Sequence, residues 1–267
     1  MTLILVAASA EAIHISSDYM LSDSATRRPI LDEVGTKQVS VQQTNWFALI
    51  SFTGIATIGA YSTRGWINSV LTHTPSDIDF ESFVHILQSR GQEELAGLSP
   101  PKPELTLVIA ARAAKKLRLA MLSNINLPDG RRAVEVDDML SLHSLSINTP
   151  RTLVAGESRA VSRQARSILR DLSRKDREFA DVHSILSMLN RKAAAHPKYG
   201  NTISQGCYVH SILVDGTSRG VNLGGSLGTP DIFIGDFNLG KWAAEHLNPA
   251  SGEDIKFGAS GSKGAED

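Results

Sequence analysis

The stretch Thr2–Met20, TLILVAASAEAIHISSDYM, sets how the remainder of the chain is interpreted. Taken as a leader, it is a short apolar segment ending in Ala8-Ser9-Ala10, in the manner of a signal peptide. Such a leader carries a positive n-region and an apolar core of about 7–15 residues. Here no Lys or Arg occurs before Arg27, and the run Leu3 to Ala8 is short and mixed. Taken as structure, Thr2 to Ala8 is β-rich, Ala12 to Met20 alternates apolar with polar at its start, and Ser9 to Glu11 connects them. The pattern predicts a β-hairpin rather than a segment to be removed.

Beyond this hairpin, Lys37 to Gln42 (KQVSVQ) alternates at period two and Trp46 to Phe52 (WFALISF) is a continuous apolar run, so two more strands are expected. Gly54 opens a helical pattern with Ile55, Ile58, Ala60 and Tyr61, running toward Leu71. A second helix comes next in THTPSDIDFESFVHIL, with Ser76 as its N-cap and Phe80, Phe83, Val84 and Leu87 on one face. The loop GLSPPKPE (97–104) separates these helices from the strands LTLVIAAR (105–112) and KLRLAMLS (116–123). Val134 to Leu145 fits either state, and Leu153 to Ala155 closes a strand. Two further helices are predicted from Ser158 to about Arg174 and from Glu178 to about Ala195. The second carries Phe179, Val182, Ile185, Leu186 and Leu189 at core spacing. GNTISQ leads into CYVHSILVDG, a strand ending in an Asp-Gly turn with a return strand through Val221 and Leu223. Beyond Gly224 the pattern thins, and GASGSKGAED is expected to be a disordered tail. Strand sets separated by helix pairs predict an α+β chain: a four-layer αββα sandwich of two antiparallel sheets flanked by helices. Residues 1–240 are expected to form one domain, with 241–267 as a C-terminal extension.

Composition narrows the function. The 267-residue chain is 42% hydrophobic, and no apolar run approaches the roughly 18 residues of a membrane span. Its 27 basic and 28 acidic residues leave a net charge of −1, which gives no general attraction to nucleic acid or an anionic membrane. Cys207 is the only cysteine, so no internal disulfide forms, and a reducing, cytoplasmic setting fits. Placed in CYVHSILV, it reads as a buried small hydrophobe. The eight His lack metal-ligand spacing, and His14, His143 and His210 read as core or interface residues. No metal or cofactor is expected. Arg159, Arg163, Arg166, Arg170 and Arg174 recur at helical spacing and form a basic stripe, read as a solvated face or a subunit contact. GGSLGTPD (224–231) lacks the GK[ST] ending of a phosphate loop.

The element order and a few positions from Thr2 to Leu223 resemble the proteasome β-subunit family, within the N-terminal-nucleophile (Ntn) hydrolases. That family begins its first strand with an N-terminal Thr and ends its second with an Asp, as Thr2 and Asp18 stand here. Its third strand opens on a Lys, matched by Lys37 in TKQVSV, and a Gly precedes its first helix, matched by Gly54 in FTGIATIG. A "GSGS" turn comes before its third helix, where this chain has Ala155-Gly156-Glu157-Ser158. A Ser lies ahead of a late strand ending in "dG", matched by Ser204. Asn201 replaces the family's aspartate in that last segment, and Ile58 replaces an aspartate of the first helix.

The resemblance implies a threonine-type hydrolase acting on amides through an acyl-enzyme ester. Thr2, exposed by removal of Met1, would supply both the hydroxyl nucleophile and the α-amine base. Lys37 would hold the hydroxyl and amine pKa values down by its field, and Asp18 would keep Lys37 charged and oriented. The Gly54 N–H would stabilise the oxyanion. Ser204, Asn201 and Ser158 would complete the site around the amine. The resemblance further implies a peptide or unfolded-protein substrate, a homo-oligomeric ring, and an ATPase unfoldase or gating partner. A non-catalytic scaffold and a small-substrate amidase are alternatives on the same fold. Singly, each residue also has an ordinary structural reading: Asp18 as a turn residue, Lys37 as an exposed strand charge, Gly54 as a packing glycine and Ser204 as a strand-start hydroxyl.

Overall fold

The computed structural model of the chain describes residues 2–22, 29–34, 37–98, 103–128, 131–175, 177–223, 231–234 and 237–238. Leu3–Ala8 (β1) and Ala12–Asp18 (β2) form the expected hairpin, in register from Ile4 opposite Ser17 to Ala8 opposite Ile13. Ser9 Oγ accepts from the Glu11 and Ala12 amides and closes the connection. Met20–Ser22 (β3) pairs with Pro29–Val34 (β4), and Gln38–Gln42 (β5) with Trp46–Gly54 (β6). A small hairpin of Thr57–Ile58 (β7) and Tyr61–Ser62 (β8) precedes the helices Thr63–Thr72 (α1) and Phe80–Gly97 (α2). Leu105–Ala113 (β9), Lys116–Ser123 (β10), Ser141–Leu145 (β11) and Arg151–Gly156 (β12) lead to the helices Arg163–Leu172 (α3) and Phe179–Ala194 (α4). Cys207–Leu213 (β13), Ser218–Leu223 (β14), Asp231–Ile234 (β15) and Phe237–Asn238 (β16) complete the order.

One sheet has the order β12-β1-β2-β13-β14 and is antiparallel throughout. The other has the order β11-β10-β9-β6-β5-β15-β16, antiparallel except where β15 runs parallel beside β5. Side-chain alternation explains how they stack. From β1, Leu3, Leu5 and Ala7 pack on Leu169 of α3 and on Val182 and Leu186 of α4. Ile4, Val6 and Ala8 turn the other way and meet Leu49, Val108, Ala110 and Met121 of the second sheet. From β6, Ala48, Ile50 and Phe52 pack on Phe83, Val84 and Leu87 of α2. Strands β1 and β6 are largely apolar on both faces, which is why WFALISF reads as an unbroken run.

Three local expectations are corrected. The helix placed directly after Gly54 starts only at Thr63, because the Thr63 amide and hydroxyl bond back to Ala56 O and Ile55 O and hold 55–62 as a loop and hairpin. Asp79, rather than Ser76, caps α2 by accepting from the Ser82 amide at 2.8 Å. The third helix begins at Arg163, since Ser158–Ala160 is a single 3₁₀ turn and Ser162 is the N-cap of α3. The basic stripe is therefore divided: Arg163, Arg166 and Arg170 lie on α3, while Arg159 and Arg174 lie outside it. Among the described residues no helix is long and apolar enough to cross a membrane. The 224–230 glycine-rich segment and the 241–267 extension lie outside the described residues.

The sheet covered by α4 carries a built-in acid sensitivity. His210 on β13 is buried, 2.6 Å from Ser218 Oγ through Nε2, and stacked on Phe47. Burial pushes its pKa down to about 4, helped by His183 nearby. The unfolded chain thus binds the proton first as pH falls, so stability is full above the ordinary histidine value and is lost on the way down to the folded one. Taking the protein from neutral pH to about pH 4.5 is expected to cost about 2 to 3 kcal/mol through this group. Urea melts across that range should show a shallower acid limb for His210→Gln.

Candidate active site

The antiparallel register gathers one set of strand ends at one edge of the molecule. Leu3 at the start of β1 lies opposite Gly156 at the end of β12, and Cys207 at the start of β13 lies opposite Asp18 at the end of β2. In the second sheet, Lys37 immediately precedes β5 and Gly54 ends β6, with the Phe52 amide bonded to Lys37 O at 3.0 Å. Thr2 stands one residue before β1. By alternation it faces the same way as Ile4, into the space between the sheets, and there it meets Lys37.

Lys37 Nζ donates to Thr2 Oγ1 and to Met20 O, and lies 3.5 Å from Asp18 Oδ1. Three oxygen neighbours match the three N–H donors of an ammonium group. Asp18 is held by backbone amides: Leu3 N donates to Oδ1 at 3.0 Å, while Ser204 N and Met20 N donate to Oδ2 at 2.9 and 3.2 Å. Thr2, Asp18 and Lys37 are 3%, 0% and 1% exposed. Burial pushes the Lys37 pKa below the ordinary lysine value, and the Asp18 carboxylate opposes that shift. A lysine this deeply buried is not an exposed strand charge, and an aspartate bound by three amides is not a simple turn residue.

The Thr2 carbonyl is gripped in turn. It accepts from the Glu157 amide at 2.9 Å and from Thr53 Oγ1 at 3.3 Å. Gly156 makes that approach with φ +82°, and a Cβ there would lie 1.8 Å from Thr2 O. Gly54, at φ +101°, passes equally close to Glu104 O. Ile55 N bonds Glu104 O on one side of β6 and Phe52 N bonds Lys37 O on the other, so the Gly54 N–H, in phase with Phe52, is directed toward the Lys37 side. Next to these residues lies a cavity of about 10 Å³, room for about one water, lined by Thr53, Gly54, Glu104, Arg132 and Gly156. The Glu104–Arg132 ion pair forms part of its wall.

The remaining expected site residues sit differently. Ser204 Oγ accepts from Tyr19 N at 2.9 Å and donates to Gly206 O at 2.6 Å, so this residue secures Asp18 and its neighbours, and none of its bonds reaches Thr2. Ser158 is half-buried in the 3₁₀ turn, where its carbonyl accepts from Arg166 at 2.6 Å. Asn201 is exposed on the turn Gly200–Thr202. Cys207 is fully buried and its thiol is pushed up to about 12, mainly by desolvation, in keeping with a packing role. Three contributors are not picked out by sequence reasoning: Thr53, Glu157 and Asn190. Asn190 is 1% exposed, and its Nδ2 donates to Ser204 O at 2.8 Å, anchoring the turn that holds Asp18. The sequence does carry a signal for it, a polar residue at an inward helical position beside Leu186, Leu189 and Ala193.

No protein-family model matches the chain, and no curated protein matches it. Among solved structures it is similar to the Anbu (Gly-1) mutant from Hyphomicrobium sp. strain MC1, with a TM-score of 0.58 at 8% identity over 85% of this chain and 89% of that one. It is also similar to Anbu (ancestral beta-subunit) from Yersinia bercovieri, with a TM-score of 0.50 at 9% identity over 83% and 86%. Among the described residues, the two large sheets and four α-helices are consistent with an Ntn-like sandwich, the fold shared with these neighbours. They support a related fold and not a particular family, so the assignment to the proteasome β-subunit family does not stand. The matches behind it were isolated residues at strand ends. A common fold places such residues alike in chains that share no family signature.

Proposed function

We propose that the chain is an Ntn-type amide hydrolase with Thr2 as its nucleophile. The observation that carries the reading is the buried Lys37 ammonium on Thr2 Oγ1, backed by an Asp18 carboxylate that three backbone amides hold in place. After loss of Met1, the Thr2 α-amine takes the hydroxyl proton, directly or through a water, as Oγ1 bonds to the substrate carbonyl carbon. The Lys37 field lowers the cost of charge on Oγ1, and the Gly54 N–H receives the oxyanion. Collapse breaks the C–N bond, and the leaving amine takes the proton from the α-ammonium. Water then hydrolyses the Thr2 ester by the same proton route in reverse. A peptide substrate and a homo-oligomeric ring enclosing the sites go with this reading, and sizing chromatography tests the ring against a monomer.

Intact-mass measurement and covalent labelling test the chemistry. The mature protein is expected to lack Met1, and a peptide β-lactone is expected to leave an adduct that fragmentation maps to Thr2, absent from Thr2→Ala. Retention of Met1, or equal labelling of both proteins, overturns the assignment.

A further inference from the structure

Glu157 is a carboxylate that this amide hydrolysis does not use, yet it is 3% exposed at the edge of the site. Both its oxygens are taken by one guanidinium: Arg159 Nε donates to Oε1 at 2.7 Å and Arg159 Nη2 to Oε2 at 2.9 Å. This forked pair spans only two residues and so fixes the backbone of the turn after Gly156. The amide presented by that turn, Glu157 N–H, is the one bonded to Thr2 O. Arg166 reinforces the turn from α3 by donating to Ser158 O at 2.6 Å.

Arg159 also reaches a second turn. Its guanidinium lies 4.5 Å from the centre of the Tyr199 ring. Tyr199 itself is held against His196, with ring centres 5.0 Å apart, and it leads into the turn Gly200–Thr202. That turn delivers Ser204, whose amide binds Asp18 Oδ2. One side chain therefore bridges the segment that holds the Thr2 carbonyl and the segment that holds the Lys37 counter-ion. Both groups must keep their place for the hydroxyl to lie on Lys37. Misplacement of a nucleophile by about 1 Å lowers a rate by up to about 10²-fold.

We infer that Glu157 is a positioning residue for Thr2, acting through a Glu157–Arg159–Tyr199 strap that locks the two turns around the nucleophile. The inference rests on Thr2 being the nucleophile, and its predicted signature is a loss in the rate of bond formation rather than in binding. Glu157→Gln keeps the side chain's shape and breaks the charged fork, and Arg159→Ala breaks it from the other side.

The test uses the full-length protein and a fluorescent peptide β-lactone, separating the limiting acylation rate from the half-saturating concentration. Both variants are expected to acylate about tenfold more slowly with half-saturation within about twofold of wild type. The double variant should be no slower than either single one, and methylguanidinium should restore part of the rate to Arg159→Ala only. Hydrogen exchange adds a readout independent of chemistry: segments 156–161 and 199–205 should both exchange faster in Glu157→Gln, with α3 unchanged. Labelled wild type with variants reacting at the wild-type rate overturns the positioning role while leaving Thr2 as nucleophile. Exchange that accelerates in only one of the two segments overturns the strap. Unlabelled wild type overturns Thr2 as nucleophile and the positioning role with it.

Discussion

Lys37→Met is expected to slow acylation of Thr2 roughly 10²- to 10³-fold while the protein remains folded. The rate falls because Met fills the space of the stem but leaves Thr2 Oγ1 without its cationic donor. The fold survives because Asp18 keeps its amide donors Leu3 N, Met20 N and Ser204 N. The converse change behaves differently. Asp18→Asn strands the buried Lys37 charge and is expected to cost about 3–5 kcal/mol. Lys37 also leaves a mark on the pH dependence of stability. The folded pKa of Lys37 is depressed by burial, so the unfolded chain holds the proton more tightly. Stability therefore rises with pH between the folded value and the ordinary lysine value. Denaturant melts of Lys37→Met should lack that alkaline rise, and kinetic assays at a single pH should show the rate loss directly.

Gly156→Ala is expected to damage fold and chemistry together. The backbone there sits at φ +82°, and the new methyl would lie 1.8 Å from Thr2 O and 2.7 Å from Thr53 Oγ1. Backbone on one side and a packed strand on the other leave no flexible group to give way. A destabilisation of about 3 kcal/mol or more is expected from the left-handed conformation and the overlap combined. Relief requires Thr2 to move away from Glu157 and Lys37, so labelling of the residual folded protein should also fall by about 10²-fold. Ala in place of Gly65, whose nearest neighbour to a Cβ is Ser62 Cβ at 3.5 Å, provides the control for a glycine replacement with ordinary contacts.

The range of the forces involved determines how much of this is legible in the sequence. The opening hairpin can be read because its alternation and its Ser9 turn are local. Thr2, Asp18 and Lys37 are picked out only through the resemblance to the proteasome β-subunit family, since each read alone is an ordinary strand-end residue. Their burial cannot be read that way, because it depends on Thr2 and Lys37 coming from different sheets. The helix start after Gly54 is misplaced because the bonds that prevent it run from Thr63 back to residues 55 and 56, inside a window that still shows helical periodicity. Strand β15 escapes notice since a four-residue segment reveals nothing of its parallel neighbour β5. Glu157 registers only as a departure from a serine turn, because its value lies in an amide pointed at Thr2 and a guanidinium two residues away. Single residues suggest a family membership where only the fold has left a trace.

The division of Thr2 and Lys37 between two sheets has a consequence for the life of the chain before it is finished. The contacts that frame Thr2 span 35 residues to Lys37, and one of the three amides that hold Asp18 comes from 186 residues further on. A nascent or partly folded chain that has made the first hairpin alone holds a threonine with no cation beside it and an aspartate that still lacks the Ser204 amide. The chemistry proposed here then switches on only when the last long-range pairing closes, so folding to completion is itself the safeguard against premature attack on neighbouring polypeptides.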